Sequence, residues 1–156
     1  MKELEKILAP TDLSETSLAG VRYALELAHA DGAEVILFHV IGVAEEWFAV
    51  PRHAEPVREL LEAEARRLDR FLRQNFANLA GLVEIRQKVE FGHPAVNIVE
   101  AAEREAVDMI VMSTHGRTGI DHMIMGSVAE KVVARAPCPV LTIPPLGRAG
   151  GRAKAA

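Results

Sequence analysis

The chain has 156 residues, enough for one domain with a buried core, and its 49% apolar and 26% charged content is an ordinary globular balance. A net charge of −4 argues against a nucleic-acid-binding surface, and the lone cysteine, Cys138, excludes an internal disulfide and fits a reducing compartment. The opening alternates acid and base from Lys2 to Lys6, and the apolar run behind it stops at Pro10, too short for a signal core. No segment reaches the roughly 20 apolar residues that a membrane-spanning helix needs. The expectation is a cytoplasmic protein with no membrane and no nucleic-acid partner.

Taken in chain order, short β-branched runs alternate with helical patterns. Lys6 to Ala9 reads as the first strand. Leu18, Val21, Leu25 and Ala28 then recur at steps of three and four, one face of a helix, with Asp12, Ser14 and Ser17 as candidate caps. Glu34 to Val40 is the second strand, its run Val35-Ile36-Leu37-Phe38 continuous as in a strand covered on both faces. Gly42 to His53 is a loop carrying Trp47 and Phe48, which would form a flap over a ligand, meet a partner or pack locally.

A second helix from Glu55 to Phe76 places Leu61, Leu68, Phe71 and Leu72 on its apolar stripe, with Glu and Arg on a solvated face. Leu82 to Phe91 is the third strand, Pro94 to Glu105 the third helix and Asp108 to Met112 the fourth strand. The fourth helix starts near Gly126 and ends before Pro137, and Pro139 to Ile143 is the last strand. The alternation predicts a single α/β domain over residues 1–145, a parallel sheet with helices on both faces. The Gly- and Ala-rich tail, 146–156, reads as disordered.

In an open parallel sheet of order 3-2-1-4-5, ligands bind beyond the carboxyl ends of the strands where the order reverses, between strands one and four. Both exits there are dense in small and polar residues: Pro10-Thr11-Asp12-Leu13-Ser14 after the first, and Ser113-Thr114-His115-Gly116-Arg117 after the fourth. Gly116 is followed, after nine intervening residues, by Gly126-Ser127 at a helix start, where backbone N–H groups and the dipole favour phosphate. The plainer readings are turn glycines, an Asp12 that only caps a helix, a His115 that braces its loop, an exposed Arg117 and a Cys138 that packs. The other histidines show no metal-ligand spacing.

The run Thr114-His115-Gly116, then Gly126-Ser127-Val128-Ala129-Glu130-Lys131, then Ala136-Pro137-Cys138-Pro139-Val140, resembles the C-terminal signature of the universal stress protein family. Ile7-Leu8-Ala9-Pro10-Thr11-Asp12 is similar to the family's first strand and loop. The resemblance implies the family's ATP-binding branch. In it Asp12 would bond the ribose, Pro10, Thr11 and the Val40 backbone would hold adenine, and Met112, Ser113, His115 and Gly116 would line ribose and phosphates. Gly126, Ser127, Val128 and Ala129 would hold the phosphate chain, with Arg117 as a γ-phosphate clamp. The ligand implied is ATP, with AMP or ADP as alternatives and Mg²⁺ carried on the phosphates.

The first glycine of the branch's pattern is Ser113 here. Serine weakens a site that needs positive φ or close approach at that point, whereas a plain strand end tolerates or uses the hydroxyl. No Walker loop is present and no carboxylate is evidently placed to orient water on a γ-phosphate. The expectation is therefore a regulatory stress-response protein with at most slow ATP hydrolysis. The alternatives are a slow ATPase enzyme and a nucleotide-free dimeric interaction module. Two partners are expected, an unidentified regulatory protein and a second copy joined through the last strand, Val140 to Ile143.

Overall fold

The computed structural model describes residues 3–116 and 125–145. Five strands, β1 (Lys6–Pro10), β2 (Glu34–Gly42), β3 (Ile85–Gly92), β4 (Met109–Ser113) and β5 (Val140–Ile143), form one sheet. Helices α1 (Leu18–Asp31), α2 (Glu55–Ala80), α3 (Pro94–Arg104) and α4 (Ser127–Arg135) alternate with them. Every pairing is parallel and the spatial order is β3-β2-β1-β4-β5, the expected one. Arg117 and the tail from Leu146 lie outside the described residues.

Because side chains alternate across a strand, each central strand feeds two cores. Ile7, Ala9, Val35, Leu37 and Val111 face α1 and α2, where Val21, Leu25, Leu68 and Phe76 meet them. Leu8, Ile36, Phe38, Ile110 and Met112 face α3 and α4, against Ile98, Ala101, Ala129 and Val132. The continuous apolar runs in the sequence are the mark of this two-sided burial.

Several boundaries differ from the sequence expectation by one or two residues, and three differences are larger. α2 continues to Ala80 beyond a break at Phe76 (φ −134°, ψ 25°). Phe76 is fully buried, and Leu79 and Ala80 pack on the same core beyond it, so helix resumes after the step. β3 starts at Ile85 and not Leu82, because Leu82 N–H turns back to the Leu79 carbonyl at 2.9 Å. The loop after β2 contains a 3₁₀ turn, Glu45–Ala49, whose Phe48 stacks on His93 at 4.9 Å. Arg52 lies 4.7 Å above the Phe91 ring. The loop is thus anchored by local contacts to the exit of β3.

At the amino ends of the strands the structure is held by ion pairs. Glu105 accepts from Arg86 at 2.7 Å and from Lys88 at 2.6 Å, and Arg86 also reaches Glu34 at 2.9 Å. The bonds from Arg86 and Lys88 outweigh burial and push the Glu105 carboxyl down to about 2 from its ordinary 4.5. A carboxyl depressed in the folded state stabilises fully above its unfolded value and loses that contribution as pH falls toward the folded one. Glu105→Gln should therefore lower stability at neutral pH and flatten the decline in stability between about pH 4.5 and about pH 2, as measured by denaturant unfolding across that range.

Candidate functional site

The crevice is built from what leaves β1 and β4. Thr11 prolongs the ladder, donating its N–H to the Phe38 carbonyl at 2.9 Å. Its buried hydroxyl accepts the Leu13 N–H at 3.0 Å and lies 2.8 Å from Ser17 Oγ. Ser17 spends its own proton on the Ser14 carbonyl at 2.7 Å, so Thr11 is the donor between the two hydroxyls. Asp12 Oδ1 accepts both the N–H of Ser14, at 3.0 Å, and its hydroxyl. This tight winding sets Leu13 at φ +64°, a conformation uncommon for a residue with a side chain.

The β4 exit is fixed to this loop and to two helices. Ser113 Oγ accepts the Gly20 N–H at 2.9 Å, capping the first turn of α1 from another strand. Ser14 and Ser17, two of the caps expected from sequence, make no side-chain cap there: Ser14 bonds Asp12 and Ser17 bonds the Ser14 carbonyl, while Asp12, the third, holds Ser14. Thr114 donates its N–H to the Ile143 carbonyl at 2.9 Å, and its hydroxyl lies 2.8 Å from His115 Nδ1, both residues buried. Gly126 N–H reaches the Thr114 carbonyl at 2.6 Å, which seats the start of α4 against this exit. The Thr16 hydroxyl donates to the Gly116 carbonyl at 2.9 Å, and a Cβ on Gly116 would stand 2.5 Å from Asp12 Oδ2. A side chain at position 116 would displace the Asp12 carboxylate from this contact.

The sequence pattern described as the universal stress protein family matches residues 3–144. This chain belongs to that family. A universal stress protein of Methanocaldococcus jannaschii is 37% identical over 141 residues, 89% of this chain and 81% of its own. The solved UspA of Lactobacillus plantarum superposes with a TM-score of 0.74 at 25% identity, over 92% of this chain and 99% of that one. Two structures below 25% identity share the fold alone. One, from Archaeoglobus fulgidus, is a complex with dAMP (TM-score 0.59, 19% identity, 92% of this chain and 99% of that one), and the other is a complex with cAMP (0.60, 22%, with the same coverage).

In this universal stress protein the structure brings Asp12 against Gly116 and seats Gly126 against Thr114 and His115. Pro10 and Thr11 end the first strand, and Met112 and Ser113 end the fourth. Val40 lies near the carboxyl end of β2 and is half-buried on the α3/α4 side. Gly126, which has no side chain, is the N-cap of α4 and supplies no capping oxygen of its own to the N–H groups of Ser127, Val128 and Ala129. Among the described residues no group of three or more His, Cys, Asp or Glu is arranged to hold a metal.

Sequence reasoning missed Gly20, Thr16, His39 and Glu64. His39 and Glu64 lie buried beneath Thr11, with His39 Nδ1 2.8 Å from the Thr11 carbonyl and Nε2 3.0 Å from Glu64 Oε2. A signal was present: Glu64 falls on the helical stripe of Leu61, Leu68 and Phe71, an acid where the core face should be apolar.

The fit of α1 on β4 is testable. A Cβ on Gly20 would stand 2.5 Å from the Ser113 backbone nitrogen, so Gly20→Ala must push α1 outward. It should cost about 2–3 kcal/mol in urea unfolding. Ser113→Ala, which removes only the cap, should cost about 1 kcal/mol.

Proposed function

We propose that this protein binds an adenine nucleotide, ATP first with AMP and ADP as alternatives, in the crevice between β1 and β4, and acts as a regulatory module. The observation that carries the reading is the approach of Asp12 to Gly116 beside the start of α4, at the point where strand order reverses. An acceptor carboxylate there suits ribose hydroxyls, and helix N–H groups beside it suit phosphate. The dAMP and cAMP complexes of distant proteins with this fold support the same ligand class.

In this reading Pro10, Thr11 and the Val40 backbone flank the base, Asp12 takes the ribose, and Met112, His115 and Gly116 line the ribose and first phosphates. Gly126, Ser127, Val128 and Ala129 receive the phosphate chain, with Mg²⁺ carried on its oxygens and Arg117 supplied from the adjoining segment. Ser113 contributes backbone, since its hydroxyl is turned to Gly20, and that orientation supports an open crevice over one closed by serine. Asp12 Oδ1 is engaged by Ser14, which suits a fixed acceptor better than a base that activates water. Hydrolysis is accordingly slow, and the bound nucleotide is read by a regulatory protein partner.

Calorimetry tests the assignment of roles. Asp12→Ala should weaken ATP and adenosine alike by about 2 kcal/mol, roughly 30-fold, for one lost hydrogen bond to a charged group. Ser127→Ala should weaken ATP more than adenosine, because it touches only phosphate. Unchanged affinity in a folded Asp12→Ala protein removes that residue from the site.

The oligomeric part of the reading rests on β5, an edge strand whose Val140, Leu141, Thr142 and Ile143 are all half-buried. A second copy offering the same strand covers both edges. Sedimentation should show a dimer that Val140→Lys turns into a monomer; a monomeric full-length protein at micromolar concentration excludes the interface.

A further inference from the structure

His39 lies on β2 with only 4% of its surface exposed, yet both ring nitrogens face acceptors. The Thr11 carbonyl can only accept, so Nδ1 is a donor at 2.8 Å. On the other side is the Glu64 carboxylate at 3.0 Å, which also accepts from Arg67. Burial alone would raise the Glu64 carboxyl, but the hydrogen bonds from Arg67 and His39 outweigh it and hold it below its ordinary value. With the Arg67 guanidinium donating to its other oxygen, Glu64 is held as a carboxylate, and Nε2 donates to it as well. Two donating nitrogens make His39 an imidazolium.

Around the ring, β1 contributes the Thr11 carbonyl, α2 contributes Glu64 and behind it Arg67, and the neighbour on β3 is the uncharged Val89. Removal of one proton has a definite consequence. The remaining proton stays on Nε2, facing the charged carboxylate, and the Nδ1 lone pair is left pointing at the Thr11 oxygen. That contact changes from attraction to repulsion.

The Thr11–Asp12 peptide is trans, so its C=O and N–H point in opposite directions. Holding the Thr11 carbonyl down on His39 therefore fixes which way the Asp12 backbone faces. Loss of the bond frees that peptide to turn, and Asp12 turns with it.

We propose that His39 and Glu64 are positioning residues for the ligand crevice, holding the β1 loop in its Asp12-presenting form only while His39 carries both ring protons. The ligand-binding consequence rests on the nucleotide reading above: affinity falls as His39 is deprotonated. The loop consequence does not rest on it.

The experiment uses the full-length protein, isotopically labelled, followed by NMR between about pH 5 and pH 9, with ATP affinity measured by calorimetry over the same range. The His39 ring nitrogens should both be protonated on the acid side, and the Thr11 carbonyl carbon should follow the same titration. The ATP dissociation constant should rise roughly tenfold across that titration, as for one lost hydrogen bond. In Glu64→Gln the carboxamide donates to a neutral Nε2 and leaves Nδ1–H on Thr11. That variant should bind ATP tightly with the His39-linked pH dependence gone, and comparing it with the unaltered protein cancels ATP's own ionisation.

His39→Asn, which keeps a donor near the Nδ1 position, should retain affinity, while His39→Leu should lose it roughly tenfold. A Thr11 carbonyl indifferent to His39 titration, or a folded His39→Leu protein that binds ATP normally, overturns the proposal. If His39→Leu does not fold, persistence of the full pH dependence in Glu64→Gln overturns it equally. If no nucleotide binds at any pH while Thr11 still follows His39, the nucleotide reading fails and the positioning role stands.

Discussion

α1 rests on β4 with no side chain between them at Gly20, and the rest of the site depends on that contact. Its backbone comes close enough for Ser113 Oγ to take the Gly20 N–H at 2.9 Å, while a methyl group there would collide with the strand itself. The start of α1 is thereby placed over the end of β4, and the loop that leads into α1 carries Asp12 and Thr16 toward Gly116. A helix–strand packing distance thus determines whether two loops about 100 residues apart form one site.

The division of charge along the strands follows the same logic. At their amino ends, Arg86, Lys88, Glu105 and Glu34 neutralise one another in a network whose geometry is complete within the chain. Among the described residues at the carboxyl ends of β1 and β4, most are short hydroxyl-bearing residues and glycines, set around Asp12 and His115. A saturated ion-pair network stabilises, whereas short polar groups around an acid are the kind of set that the proposed ligand reading needs. The two ends of one parallel sheet therefore do different work, as the alignment of its strands and helices favours.

Much of this was legible in the sequence because the physical cause was local. The runs around Val35 and Ile110 read as strands covered on both sides, and both sides are covered in the two cores. That the two polar loops leave neighbouring strands was legible too, since the alternation of strands and helices fixed the order that puts β1 beside β4. What escaped depended on contacts distant in the chain. The partner of Ser113 is 93 residues away, and nothing near position 113 distinguishes a serine that faces a ligand from one that caps a helix. The early start assigned to β3 had a similar source: Val83 is apolar and packs on the core, but packing alone does not put a residue in a ladder.

The buried pair beneath Thr11 shows why an exception to an apolar pattern deserves as much weight as the pattern. A buried ion pair often stabilises no more than well-packed hydrophobic residues would, because the desolvation of both charges offsets their attraction. An imidazole at position 39 therefore gains little for the core that a leucine would not. What a leucine lacks is a donor aimed at the Thr11 carbonyl, and that carbonyl begins the peptide that orients Asp12. With Arg67 fixing Glu64, Glu64 fixing the ring and the ring fixing the peptide, each group has its orientation set by the one behind it. A chain of this kind converts the rigidity of α2 into precision at a loop, which the loop's own short side chains, bonded mainly to one another, do not supply.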